Sequence, residues 1–235
     1  MTPELLVVLP VFNEEANVQR VVNEWLEMLP IWTNCFVLLA IDDGSFDRTR
    51  SILEDLRDVH GTKLEIISHR NRGHGQTCLV GYRVAIARKI PFILQVDSDG
   101  QSDPRFFSSL WKLRENFDVV YGYRSRRDDG WRRVVVTLIL RNALLFFANV
   151  DCRDANVPYR LMQTQAVTSS VDSIPPDFFL ANVALAVQLK RKSNIRHAYV
   201  PIHFRARFAG EPTIPISSFW RRAIELVKQL HTLPR

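Results

Sequence analysis

The sequence predicts a single α/β domain with a mostly parallel central sheet flanked by helices. Three observations predict it. Apolar runs of strand length alternate with segments of helical period. Polar or glycine-rich loops follow four consecutive apolar runs, and the 235 residues hold no internal repeat, low-complexity tract or clear linker.

Each element follows from its local pattern. Residues 5–9 are a continuous apolar run of strand length, and 14–29 place Val18, Val21, Val22, Trp25 and Leu29 at helical spacing. Residues 36–41 form the second strand, followed by a helix with Ile52, Leu53 and Leu56 on one face. A third strand over 64–68, a helix over 76–88 and a fourth strand over 92–96 continue the rhythm. Pro104 starts a further helix, and 118–123 reads as a strand. Beyond it the pattern loosens. Residues 131–149 read as a long amphipathic helix, 178–190 and 219–230 as helices, and 195–204 as extended chain. One domain over 1–235 is expected, with 1–117 as its ligand-binding first half and 118–235 as its second.

The composition is that of a globular protein, with 46% hydrophobic and 24% charged residues, which excludes a disordered chain. A net charge of +6 and a pI near 9.5 suit anionic partners such as nucleotide phosphates or lipid phosphates. Cys35, Cys78 and Cys152 have no metal-type or redox-type spacing and read as free thiols of a cytoplasmic protein. No signal peptide is expected before residue 5, and the apolar stretch 134–150, broken by Arg141 and Asn142, is short of the ~20 residues a spanning helix needs. A cytoplasmic location is expected. The 131–149 helix reads first as a core element and second as a peripheral contact with the membrane face.

In open parallel sheets, ligands bind beyond the carboxyl ends of the strands. Four such ends are decorated here: Pro10 to Glu15, Asp42 to Thr49, His69 to Gly75, and Asp97 to Gln101. Asp97, Asp99 and Gln101 alternate along the chain, so their oxygens can converge on one hard cation, Mg²⁺ or Mn²⁺, that bridges a diphosphate. Asp42 and Asp43 suit hydrogen bonding to a nucleoside, and Asn71, Gly73, His74 and Gly75 suit a phosphate or sugar approached closely by backbone. Neither a P-loop pattern nor a dinucleotide fingerprint is present. Arg124, Arg126, Arg127, Arg132 and Arg133, followed by Arg160, Arg205 and Arg207, offer forked donors for phosphate oxygens.

Together these residues resemble the family 2 glycosyltransferases and, within them, the dolichyl- or polyprenyl-phosphate mannosyltransferase branch. The resemblance rests on Leu9-Pro10-Val11-Phe12-Asn13-Glu14, on Asp42-Asp43-Gly44-Ser45-x-Asp47-x-Thr49 and on Asp97-Ser98-Asp99-Gly100-Gln101. Gly122-Tyr123-Arg124, Asp154 with Tyr159-Arg160-Leu161, and Val200-Pro201-Ile202 before Arg207 extend it. It implies a GT-A (Rossmann-like) fold and an inverting, metal-dependent transfer from a UDP- or GDP-linked sugar. Pro10, Phe12, Asn13, Glu14, Asp42, Asp43, Asn71, Gly73, His74, Gly75, Asp97, Ser98 and Asp99 would then form the donor side, with the metal on Asp97, Asp99 and Gln101. Arg124, Arg133, Thr137, Arg160, Asn182 and Arg207 would form the acceptor side, facing a polyprenyl or dolichyl phosphate. Asp99, Asp154 and Arg124 are the catalytic candidates.

Two departures qualify the acceptor. Asn182 stands where the mannosyltransferases place a carboxylate, and Pro212-Thr213 stands where they place Ser-Lys. A phosphate monoester needs no general base, whereas a hydroxyl acceptor would need one, and Asp154 is then the candidate. The alternatives are a family 2 transferase acting on a sugar hydroxyl, a nucleotidyltransferase, and a non-catalytic nucleotide-sugar-binding module. Nucleic acid is not an expected partner, because aromatic and basic residues are not interleaved.

Overall fold

A computed structural model describes residues 2–126, 142, 144–146, 150–152, 155–176, 178, 180–208 and 229, with only the backbone described at 124–126. The expected helices over 131–149 and 219–230 therefore lie outside the described residues, apart from a few isolated positions.

The first half alternates as the sequence predicts. β1 (Leu5–Val11) leads to α1 (Val18–Met28), β2 (Phe36–Asp42) to α2 (Thr49–His60), β3 (Leu64–Ser68) to α3 (His74–Ala87), and β4 (Phe92–Gln95) to the short α4 (Phe107–Trp111). Then follow β5 (Val119–Arg126), β6 (Arg160–Gln163), α5 (Thr164–Asp172), α6 (Ala181–Arg191) and β7 (His197–His203). One seven-stranded sheet joins them in the order β3-β2-β1-β4-β6-β5-β7. β1 to β4 are parallel, with Leu5 opposite both Phe36 and Phe92, and β7 runs parallel to β5. Only β6 runs against its neighbours, antiparallel to β4 and β5.

Every residue of β1 and β2 is buried. Helices cover both faces there, so these strands read as unbroken apolar runs rather than alternating ones. α1 lays Val18, Val21, Val22, Trp25 and Leu26 into the core, the i, i+3, i+4, i+7, i+8 stripe of a helix with one buried face. It begins four residues later than its apolar period suggests. Asn13 has a positive φ of 52°, and the amides of Glu14 and Glu15 donate to Thr49 Oγ1 and Asp47 Oδ2 instead of to helical water.

β6 and α5 are elements the sequence pattern did not announce. β6 has four residues and opens on an arginine, too short and too polar for a run-length signal. Arg160 is nevertheless fully buried, and burial is tolerated because its guanidinium is met by carbonyls.

At the far edge of the sheet His197 stacks on Tyr121 with centroids 6.1 Å apart, and Tyr121 stacks in turn on Tyr199 at 5.5 Å. Burial, with Lys190 nearby, pushes the His197 imidazole down to about 4, against the opposing pull of the Leu189 backbone and Asp118. Unfolded, it titrates near 6.5, so the unfolded chain takes up the proton first as pH falls. The contribution of this group to stability is complete above about pH 6.5 and is lost progressively towards pH 4. Melting temperature is expected to fall through that window, and His197→Phe, which keeps the stack, should flatten the fall.

Candidate active site

The loops at the ends of β1 to β4 are stitched to one another before any ligand is considered. After β1, the Asn13 amide donates to Ser45 Oγ at 2.9 Å, and Asn13 Oδ1 accepts from the Phe46 amide at 3.0 Å. The Glu14 amide donates to Thr49 Oγ1 at 2.8 Å. Ser45, Asp47 and Thr49 thus hold the first loop against the second, a role that explains their spacing. Phe12 and Phe46 meet edge to face at 6.0 Å on the outer side, with Phe46 largely exposed.

The two aspartates after β2 have different tasks. Asp42 Oδ1 accepts from the Ser45 amide at 3.0 Å and closes its own turn. Asp43 reaches across to the third loop, where its two oxygens accept from the amides of Arg72 (2.7 Å) and Gly73 (2.9 Å), with His69 Nδ1 3.3 Å away. Both side chains are almost wholly buried. Gly44, directly after them, has φ +75°, and a Cβ there would stand 2.9 Å from the Asn71 amide nitrogen. Gly44→Ala is expected to cost about 1–3 kcal/mol of stability, read as a lower melting temperature, because backbone rather than a side chain blocks the space.

The third loop ends at Gly73, whose φ of 86° turns the chain into α3. His74, the first residue of α3, brings Nε2 to 3.6 Å from Asp97 Oδ1 and 3.6 Å from Cys78 Sγ. Packing around the ring disfavours its charge, but the Cys78 sulfur and the Asp97 carboxylate outweigh that and raise its pKa. The side chain still leaves 49% of its surface exposed. Asn71 is exposed beside it, and Gly75 is buried in the first turn of α3.

Beyond β4, Asp97 and Asp99 keep 28% and 16% of their side-chain surface open, whereas Ser98 between them is buried. Asp99 Oδ1 accepts from the Gln101 amide at 3.0 Å, which leaves Oδ2 facing Arg207 Nη1 at 3.9 Å. Arg207 also pairs with Glu14, a buried carboxylate that accepts from Asn17 Nδ2 as well. Burial raises the Glu14 carboxyl above its usual range, against the pull of Asn17 and Arg207. Asp103 caps the 3₁₀ turn at Pro104 by accepting from the Arg105 amide at 3.0 Å.

Arg207 arrives on a segment that folds back from β7. The Arg205 amide donates to Gln101 O at 3.1 Å, Arg205 Nε to Gly100 O at 3.1 Å, and the Phe208 amide to Asp99 O at 3.3 Å. Gly100, with φ +80°, accepts the Phe208 ring so closely that a Cβ would lie 2.3 Å from it. Arg205 further pairs with Glu24 of α1 at 2.7 Å, and Arg20 lies 3.8 Å over the Phe208 ring.

Most of the expected donor residues are therefore gathered at one end of the sheet: Phe12, Asn13, Glu14, Asp42, Asp43, Asn71, Gly73, His74, Asp97 and Asp99, with Arg207 beside them. Pro10 lies within β1, buried opposite Ile41. Gln101, expected as a metal ligand, instead donates its amide to Arg205 O at 3.3 Å and ties two loops together. Arg160, expected at the acceptor, is 0% exposed. Its Nε and Nη2 donate to Val157 O at 3.0 and 2.6 Å, and Nη1 donates to Asn182 O at 3.3 Å, so the group is spent on structure. Asn182 is 2% exposed and faces Tyr82 and Cys78 rather than an open acceptor surface. Arg124 sits opposite Ile202 in the strand register, while Asp154, Arg133 and Thr137 lie outside the described residues. Tyr82 and Gln95 went unnoticed in the sequence, where Cys78 was read only as a free thiol; a tyrosine and a glutamine inside otherwise apolar elements were the signal.

Two carboxylates with free surface at the end of β4 fit a hard divalent cation that takes its remaining oxygens from a diphosphate and water. Among the described residues no cluster of three or more His, Cys, Asp or Glu side chains forms an all-protein cage.

The chain is similar to several known proteins. An undecaprenyl-phosphate 4-deoxy-4-formamido-L-arabinose transferase of Aeromonas hydrophila is 27% identical over 150 residues, 63% of this chain and 45% of its own length. This chain therefore matches less than half of that relative. An uncharacterized glycosyltransferase of Synechocystis is 24% identical over 237 residues, covering 100% of this chain and 71% of its own. Among solved structures, glucosyl-3-phosphoglycerate synthase from Mycobacterium tuberculosis, in complex with Mn²⁺ and UDP-glucose, superposes with a TM-score of 0.70. It shares 19% identity and covers 99% of this chain and 80% of its own, a likeness of fold. The family described as Glycosyl transferase family 2 matches residues 6–172. A match over that span, most of the chain, means that the protein belongs to glycosyl transferase family 2.

Proposed function

We propose that the protein is an inverting, divalent-metal-dependent transferase that moves a sugar from a nucleotide-diphospho-sugar to a polyprenyl or dolichyl phosphate. One observation carries the reading: Asp97 and Asp99 stand open at the end of β4, with Arg207 from the second half set against Asp99 and Glu14. Donor carboxylates and an acceptor-side cation are thereby neighbours, as a direct displacement between two anionic substrates requires. The relative from Aeromonas is named for undecaprenyl phosphate, and the mycobacterial synthase was solved with Mn²⁺ and UDP-glucose, which supports both ends of the assignment.

In this reading Asp42 and Asp43 seat the nucleoside, and the loop that Asp43 clamps borders the diphosphate. Asp97 and Asp99 hold Mg²⁺ or Mn²⁺, which when bound offsets charge on the leaving diphosphate. Arg124, Arg133, Thr137 and Arg207 grip the acceptor phosphate. That acceptor is anionic near neutral pH, so no general base is needed, and an uncharged Asn182 turned into the interior is compatible with this. No helix among the described residues is long and apolar enough to cross a membrane. In this reading the lipid acceptor is met from the cytoplasmic face.

The test is a donor screen over UDP- and GDP-sugars with Mn²⁺ or with EDTA, offering polyprenyl phosphate and free sugars in parallel. Metal-dependent release of a nucleoside diphosphate with polyprenyl phosphate only is the expected result. Turnover with sugars only would replace the acceptor, and pyrophosphate release from a nucleoside triphosphate would replace the reaction.

A further inference from the structure

Beneath the donor loops lies a group of polar side chains that has no obvious place in a core. Tyr82 of α3 and Gln95 of β4 are 0% exposed, and Asn182 at the start of α6 is 2% exposed. Burying three such groups where leucine or phenylalanine would pack is costly unless every polar atom is matched. Tyr82 Oη touches Gln95 Oε1 and lies 3.0 Å from Asn182 Oδ1. A phenol has one hydrogen, so it cannot donate to both oxygens.

The Gln95 amide resolves the conflict. Its Nε2 is buried without a partner in the present orientation. Oxygen and nitrogen of an amide are assigned from their bonds, and turning this one sets Nε2 against Tyr82 Oη. Gln95 then donates to Tyr82, and Tyr82 donates to Asn182 Oδ1. Asn182 Nδ2 is left to donate to Cys78 Sγ at 3.7 Å, and Cys78 Sγ lies 3.6 Å from His74 Nε2. That nitrogen is 3.6 Å from Asp97 Oδ1. The main chain of Asn182 is fixed as well, since its carbonyl accepts from Arg160 Nη1 at 3.3 Å.

The chain of contacts has a direction and an end. Gln95, Tyr82, Asn182 and Cys78 are sealed from solvent, and the row opens only at His74, the member that touches Asp97. A cluster serving stability alone would gain nothing from ending there. We propose that Tyr82 and Asn182 are positioning residues of the transfer reaction: acting through Cys78, they hold the His74 ring beside Asp97 at the diphosphate end of the donor site. The inference rests on the proposed function for its catalytic part and on geometry alone for its structural part. Asn182 thereby gains a task that explains an amide, rather than a carboxylate, at this position: it must both accept from Tyr82 and donate to Cys78, which an ionised carboxylate cannot do.

Two readouts on the full chain test it. In the first, His74 ring nitrogens are followed by NMR in ¹⁵N-histidine-labelled protein, comparing wild type with Tyr82→Phe and with Cys78→Ala, a smaller change kept in case the first variant folds poorly. Both should move the His74 signals, and signals that superimpose on wild type would overturn the relay. In the second, kcat and KM are measured in a double-mutant cycle. Tyr82→Phe should lower kcat by about 10-fold, as loss of an outer-shell partner does, with acceptor KM unchanged. In a His74→Ala background it should cost nothing further. A loss of equal size in both backgrounds would mean that Tyr82 acts only on stability, and the positioning role would fall. A wild type that turns over no nucleotide sugar would defeat the proposed function while the NMR comparison still decides the relay.

Discussion

Replacing Asp97 and Asp99 together by asparagine is expected to lower sugar transfer by roughly 10³-fold, the size of effect seen when charge stabilisation at a reacting centre is removed. Asparagine is the informative substitution because it keeps an oxygen for the Gln101 amide, which donates to Asp99 Oδ1 at 3.0 Å, so the loop retains its shape. What is lost is negative charge at two carboxylates that stand open in the loop after β4. Nucleoside diphosphate binding in Mn²⁺ should weaken in the variant, and EDTA should have no additional effect on it. Wild-type rates in the double variant, measured by nucleoside diphosphate release, would remove these residues from the chemistry. A loss accompanied by a large drop in melting temperature would instead point to loop collapse.

The second large effect is on stability. Arg160→Met removes a buried guanidinium whose donors serve the carbonyls of Val157, Ala155 and Asn182. Two terms compete. Methionine relieves the cost of a charge kept out of water, but the loop carbonyls of Ala155 and Val157 lose the guanidinium, each at about 1–3 kcal/mol. The second term wins, because Arg160 is fully buried and these two carbonyls lie outside any helix or strand, whereas Asn182 O, in the first turn of α6, can still accept from the helix's own amides. A net loss of about 3 kcal/mol is expected, which in a chain of this size lowers the melting temperature by roughly 6–12 °C. Arg160→Lys should recover only part of it, since one ammonium cannot reproduce the fork. An unchanged melting temperature for Arg160→Met would mean that the relief of charge burial offsets the lost bonds.

Arg160 also marks where the sequence stopped being readable. β1 to β4 were legible because a parallel strand covered on both faces must be apolar throughout, and a site at their carboxyl ends must then be polar. The same rule could not find β6: four residues opening on a buried arginine carry neither run length nor alternation. The start of α1 was missed for a different reason. Its apolar period extends back to Glu14, but Thr49 and Asp47, more than thirty positions away, take the amides that a helix would have left to solvent. Donor residues were visible one loop at a time, whereas the partners that orient them were not. Nothing in the local pattern tells that Asp43 clamps the Arg72–Gly73 turn, that Gln101 ties down Arg205, or that Asn182 looks inward at Tyr82. Those assignments depend on contacts 29 to 104 positions apart.

The return of residues 204–208 onto the loop after β4 bears on how such enzymes can diverge. The loop that presents Asp99 takes its shape partly from a stretch encoded over a hundred positions later, through Arg205, Arg207 and the Phe208 ring seated on Gly100. Donor and acceptor preferences are consequently not exchangeable cassettes. A chimaera joining residues 1–117 to the tail of a relative inherits foreign fasteners for its own aspartates, and it should regain function only when the recruited tail also supplies an aromatic ring to cover that glycine.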